Sequence, residues 1–163
     1  MRRLLVGVLI LLLTPSMLAA QSGLSRQQIE EIAQTVVLIA ALDQNGDTIS
    51  LGSGTFIDAS GTILTNRHVV EGGVDFAIFT IDNIRNQPSL RFYASLTGVS
   101  PDIDLAVLVT DRDKDGRRLG RLRTKLPFME LNNPSEIGIG DDITIFGFPG
   151  IPNCFLVVTK SSI

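Results

Sequence analysis

Hydrophobic positions recur along this chain at three different spacings, and each spacing predicts a different element. An unbroken apolar run from Leu4 to Leu13 follows Arg2 and Arg3 and gives way to Thr14-Pro15-Ser16 and the small pair Ala19-Ala20. A basic start, a short apolar stretch and small residues at a cleavage point predict a secretory signal peptide over residues 1–20. Ten apolar residues fall short of the ~20 that cross a bilayer, so no stable membrane anchor is expected. Gln21 rather than cysteine follows Ala20, which removes the lipoprotein alternative and points to release into the periplasm or outside the cell.

The second spacing is helical. Ser25 is followed three residues later by Gln28, and Ile29, Ile32, Ala33 and Val36 fall on one face, which predicts a capped amphipathic helix of about two or three turns. From Val36 to Leu42 the run becomes β-branched and aliphatic, then stops at Asp43-Gln44-Asn45-Gly46-Asp47. Asn45-Gly46 is a hairpin signal, so a strand pair is predicted, its second member running from about Thr48 to Ile57. Asp58-Ala59-Ser60-Gly61 turns the chain into a third strand, Thr62 to Asn66, making a meander. Further strands are predicted over Phe76–Thr80, Arg91–Gly98 and Leu105–Thr110, each bounded by Gly, Pro, Asn or Asp. Six short strands suggest a barrel or a sandwich. Asp111 to Lys125 is charged and poor in strand formers, and Pro127 and Pro134 punctuate the residues after it, so a connector is expected there. Two more strands are predicted, Asp142–Phe148 and Phe155–Thr159. No fixed-period repeat and no low-complexity tract is found.

Composition narrows the function. Fourteen basic against 17 acidic side chains give a net charge of −3 over 163 residues, which argues against a nucleic-acid or anionic-membrane partner. Removing the first twenty residues leaves 143, enough for one ordinary domain. A single cysteine, Cys154, cannot form an internal disulfide, so the fold must hold by burial, and the thiol reads as a small buried hydrophobe.

His68 is the only histidine, so any imidazole chemistry must use it. A lone histidine is more often structural than catalytic, but this one follows the third strand, where a sheet rim lets a general base meet residues from other loops. Such a base needs a buried carboxylate to hold its ring tautomer. Asp104, opening the apolar run Leu105-Ala106-Val107-Leu108-Val109, is the candidate; Asp102 is an alternative that spacing does not separate from it, and either can be the turn residue after Ser100-Pro101.

Four blocks then stand in a telling order: Gly52-Ser53-Gly54-Thr55-Phe56-Ile57-Asp58, Gly61-Thr62-Ile63-Leu64-Thr65-Asn66-Arg67-His68-Val69-Val70, Asp104-Leu105-Ala106-Val107-Leu108 and Gly140-Asp141-Asp142. In order and spacing they resemble a trypsin-like serine protease of the Deg/HtrA type, over roughly Thr35 to Ile163. The resemblance implies an all-β chymotrypsin/trypsin-like double β-barrel, with a short N-terminal helix, the first barrel complete and the second only begun. Residues 21–34 would be the helical segment, 35–110 the first barrel, 111–134 the connector and 135–163 the start of the second barrel. It makes His68 the general base and Asp104 its orienting residue in preference to Asp102. Polypeptides would be the substrates and no cofactor is implied; the oligomeric state is not legible.

The family's nucleophile, a serine in Gly-x-Ser-Gly-Gly, does not occur in these 163 residues. Ser53 lies upstream of the histidine where the family has a barrel strand, and reads as small-residue packing near the histidine. Ser161 and Ser162 follow Lys160 with no glycine nearby, and Cys154 lacks a glycine-rich turn. The expectation is therefore the N-terminal part of a secreted serine endopeptidase, truncated before its serine and inactive alone. The alternative is a non-catalytic secreted β-barrel binding module derived from such a protease. Asp111-Arg112-Asp113-Lys114-Asp115-Gly116 opens like a calcium loop, but its twelfth position is Leu122 where a glutamate is required, and Arg117, Arg118, Arg121 and Arg123 crowd it. No metal site is expected.

Overall fold

The computed structural model describes residues 23–120, 125–133, 135, 137–149 and 155–163. The predicted signal peptide, Arg121, Leu122, Arg123, Pro134, residues 150–152 and Cys154 lie outside the described residues.

Helix α1 (Arg26–Ala33) begins as its sequence dictates: Ser25 Oγ accepts from the Gln28 N–H at 3.3 Å and the Gln28 side-chain oxygen accepts from the Ser25 N–H at 2.9 Å, a reciprocal cap. Strand β1 (Val36–Leu42) leads through a turn into β2 (Thr48–Phe56). In that turn Asp43 Oδ1 accepts the N–H groups of Asn45 and Asp47 at 2.8 and 2.9 Å, and Gly46 takes φ +86°, a conformation a side chain would strain. Then come β3 (Thr62–Thr65), a single helical turn α2 (Arg67–Val70), β4 (Asp75–Thr80), β5 (Ser89–Val99) and β6 (Ala106–Asp113). These six strands close into an antiparallel barrel in the order β1-β2-β3-β6-β5-β4, so no strand edge is left unpaired around the ring. A two-stranded antiparallel sheet, β7 (Asp142–Gly147) with β8 (Val157–Ser162), comes after the barrel.

The core explains why β1 reads as a continuous apolar run rather than an alternating one. Val37, Ile39 and Ala41 point into the barrel with Phe56, Ile63, Phe76, Ile78, Phe92, Ala94 and Leu108. Val36 and Leu38 point outward, yet they too are buried, in a second cluster with Ala33 of α1, Ile81, Phe148 and Leu156. A strand covered on both faces needs no polar face. Phe148 and Leu156 flank the second sheet, so this outer cluster seats it on the barrel.

Strand β6 extends three residues beyond Thr110, into the charged stretch that predicts a connector. Tyr93 pairs with Arg112 and Phe92 with Asp113 across β5 and β6. Arg112 reaches over Tyr93, its guanidinium carbon 5.3 Å from the ring centroid, and donates two bonds to Asp75 on β4 at 2.6 and 3.0 Å. The Arg112 guanidinium holds the Asp75 carboxyl below its usual range, and Asp75 in turn raises the Arg112 value. The charges that look like a solvated linker therefore clip three strands together, a geometry only the planar bidentate fork provides.

Candidate active site

The meander brings His68 to the barrel rim by a route the strand pattern does not reveal. After β3, Asn66 ends the extended backbone and Arg67–Val70 make one helical turn, which buries Val69 and Val70 and leaves His68 outside. That turn lies against β2. A Cβ on Gly52 would overlap Val69 Cγ2 and sit 2.8 Å from Val69 Cγ1, so glycine is what lets the histidine turn settle this close. Gly54 does the same service for the barrel interior, where a Cβ would stand 2.6 Å from Ile63 and 2.7 Å from Ile39.

Asp104 arrives from the other side of the β3–β6 seam, whose last paired residues are Thr65 and Ala106. Its two carboxylate oxygens are divided between two parts of one residue. Oδ1 accepts the His68 backbone N–H at 2.9 Å, and Oδ2 lies 2.6 Å from His68 Nδ1. A carboxylate can only accept, so the proton of the neutral ring sits on Nδ1 and Nε2 carries the lone pair. The hydrogen bonds from the His68 backbone and side chain, helped by Asn66, hold the Asp104 carboxyl below the ordinary carboxylate range. The expectation of a buried carboxylate is not met: the Asp104 side chain is 43% exposed and that of His68 66%. Asp104 is held by hydrogen bonds rather than by exclusion of water.

Asp102 is exposed in the preceding turn, and its carboxylate makes no hydrogen bond among the described residues. Of the serines considered, Ser53 faces the second sheet: its hydroxyl accepts from the Phe148 N–H at 2.7 Å and lies 3.3 Å from the Phe148 carbonyl oxygen. Within Gly52-Ser53-Gly54 it is therefore Gly52 that packs beneath the histidine turn, and Ser53 that ties β2 to the strand end after β7. Ser161 and Ser162 lie on β8, paired with Ile143 and Asp142. Among the described residues no hydrogen bond joins these serines to His68. The carboxylates of the calcium-like opening are engaged elsewhere: Asp111 with Ser95 and Arg112, Asp113 with the N–H groups of Asp115 and Arg117, Asp115 with Lys114 and Arg117.

Two residues at the site escape a reading based on histidine and acid alone. Thr65 Oγ1 donates to the Ser53 carbonyl at 2.8 Å, bracing the end of β3 against β2. Asn66 Nδ2 lies 3.1 Å from the Asp104 carbonyl oxygen and 3.2 Å from Oδ2. The available signal is a polar pair wedged between an apolar strand and the histidine, where a core strand has no use for two side-chain donors.

A family model described as "Trypsin-like peptidase domain" matches residues 52–162. The chain belongs to the trypsin-like peptidase family. Relatives within that family include serine endoproteases of the Deg/HtrA type. A protein described as a probable periplasmic serine endoprotease DegP-like, from Pseudomonas savastanoi pv. phaseolicola, is 32% identical over 107 residues, which are 66% of this chain and 19% of the relative. A protein of the same description from Rickettsia prowazekii is 31% identical over 121 residues, 74% of this chain and 18% of the relative. The crystal structure of the serine endoprotease from Yersinia pestis superposes with a TM-score of 0.59 at 26% identity, over 82% of this chain and 41% of that one. The chain thus spans under a fifth of the length of these curated relatives. The all-β trypsin-like fold, with a closed six-stranded barrel, is the one the motifs imply.

Proposed function

We propose that this trypsin-like domain carries the base and orienting acid of a serine endopeptidase, and that His68 and Asp104 are those two residues. The observation that carries this reading is the 2.6 Å contact between His68 Nδ1 and Asp104 Oδ2, with Oδ1 held by the backbone of the same histidine. That arrangement leaves Nε2 as the free proton acceptor. In the proposed reaction Nε2 takes the proton of a serine hydroxyl as the oxygen attacks a peptide carbonyl. Asp104 stabilises the resulting imidazolium, which then returns the proton to the leaving amine. Water hydrolyses the acyl-enzyme by the same relay. The reading requires a serine supplied by residues outside Met1–Ile163, since no Gly-x-Ser-Gly-Gly turn occurs among them. On the same reading residues 35–110 form the base-carrying barrel and residues 135–163 open the half that would bear the nucleophile. The substrates are polypeptides, met in the periplasm or outside the cell, in keeping with the N-terminal pattern and the relatives' descriptions.

The test is made on the native protein as its source produces it. A fluorophosphonate probe is expected to label it, and His68→Ala to lower both labelling and peptide hydrolysis by on the order of 10⁴-fold or more. Absence of labelling in the folded native protein, or a His68→Ala variant that hydrolyses at the native rate, overturns the reading.

A further inference from the structure

Asn66 occupies the N-cap position of α2, where an asparagine side chain ordinarily accepts a backbone N–H of the first helical turn. Here no such side-chain bond forms. The amide instead crosses the β3–β6 seam to Asp104, reaching the backbone carbonyl oxygen at 3.1 Å and Oδ2 at 3.2 Å. Both of these atoms are acceptors only, so the NH₂ end faces them and the amide has one orientation. We propose that Asn66 is a positioning residue for the His68–Asp104 pair, gripping Asp104 by main chain and carboxylate together and so fixing the oxygen that His68 Nδ1 must meet.

Two features of the surroundings make this grip consequential. The barrel ladder between β3 and β6 stops at the pair Thr65–Ala106, so the main chain of Asp104 has no strand partner there and the Asn66 amide supplies one. The Asp104 side chain is also 43% exposed, so packing does not hold its carboxylate plane. His68 fixes one oxygen through its backbone, but a carboxylate held at one oxygen can still swing the other. A donor that holds the second oxygen and the backbone of the same residue removes that freedom before the imidazole meets it. The inference rests on the proposed roles of His68 and Asp104.

Asn66→Ala and Asn66→Asp separate this grip from simple helix capping. Aspartate is as good an N-cap as asparagine, so a capping role leaves Asn66→Asp as stable as the native chain. A gripping role makes it the worse variant, because aspartate has no N–H to give and adds a like charge beside Asp104. The readout is the titration of the Asp104 carboxyl carbon by NMR in the full chain, alongside thermal unfolding. Asn66→Ala is expected to raise the proton affinity of Asp104 roughly threefold to tenfold, and Asn66→Asp to raise it further. In the serine-bearing native protein Asn66→Ala should lower kcat about tenfold while KM holds. An Asp104 that titrates at its native pH in Asn66→Ala, or an Asn66→Asp variant with native titration and native melting, overturns the inference. Since the titration needs no turnover, it can succeed where fluorophosphonate labelling fails, and fail where labelling succeeds.

Discussion

Gly52 shows how much of the site depends on an atom that is missing. The histidine turn rests on β2 at a distance that admits no Cβ, with Val69 in the space one would fill. Gly52→Ala is expected to cost about 1–3 kcal/mol of unfolding free energy by overpacking and to shift the turn that carries His68. Denaturant unfolding checks the first; the NMR signal of the His68 ring checks the second. Because the clash is with one side chain, a double-mutant cycle with Val69→Ala should show coupling of about 1 kcal/mol or more. At this scale the sequence discloses His68 and Asp104 better than the residues that support them. His68 is conspicuous as the only histidine, and Asp104 stands at the head of an apolar strand. Thr65 and Asn66 show only as a polar pair after an apolar strand; that Asn66 reaches Asp104 across the β3–β6 seam is hidden, because sequence order says nothing of which distant strands meet there.

The turn between β2 and β3 illustrates an element held by one carboxylate. Asp58 Oδ1 accepts from the Ser60 N–H, the Ser60 hydroxyl and the Thr62 N–H at 2.8, 2.6 and 3.2 Å. Desolvation pushes its pKa up, but the bonds from Ser60 and Thr62 together outweigh it and lower the value from 3.8 to about 2. A depressed folded value means the stabilisation is fully present above pH 3.8 and is lost as pH falls toward 2. Asp58→Ala should therefore lower stability by about 1–2 kcal/mol at neutral pH and flatten the acid limb of the stability curve between about pH 4 and pH 2. Denaturant melts across that range read both. The elements themselves were largely legible, since Asp-Ala-Ser-Gly announces this turn and the Ser25–Gln28 box announces α1. The one-turn helix α2 was not, because four residues are too few to display a period. The end of β6 was hidden for another reason: its last residues are charged, and only the Asp75 fork and the Tyr93 ring show that those charges belong to the barrel.

In the molecule as a whole, the barrel and the two-stranded sheet are joined by an apolar contact and a hydroxyl. Val36 and Leu38 meet Phe148 and Leu156, while Ser53 Oγ takes the Phe148 N–H. Ser53→Ala is expected to speed hydrogen exchange of the β7 and β8 amides severalfold while the barrel amides keep native protection. Equal acceleration throughout would show that the hydroxyl serves global stability rather than this joint. The joint lay beyond sequence reading, since a serine between two glycines gives no hint of a partner 95 positions away. Barrel closure has one more consequence, which concerns the order of events. Of the six seams, β3 with β6 unites the most distant stretches of chain, Thr62 with Val109 and Thr65 with Ala106. Pairings of that kind carry the largest loop-closure penalty and tend to form late in folding. The imidazole and the carboxylate stand on opposite sides of this seam. On the roles proposed for these two residues, His68 gains its orienting acid only once this seam has formed and the ring is shut.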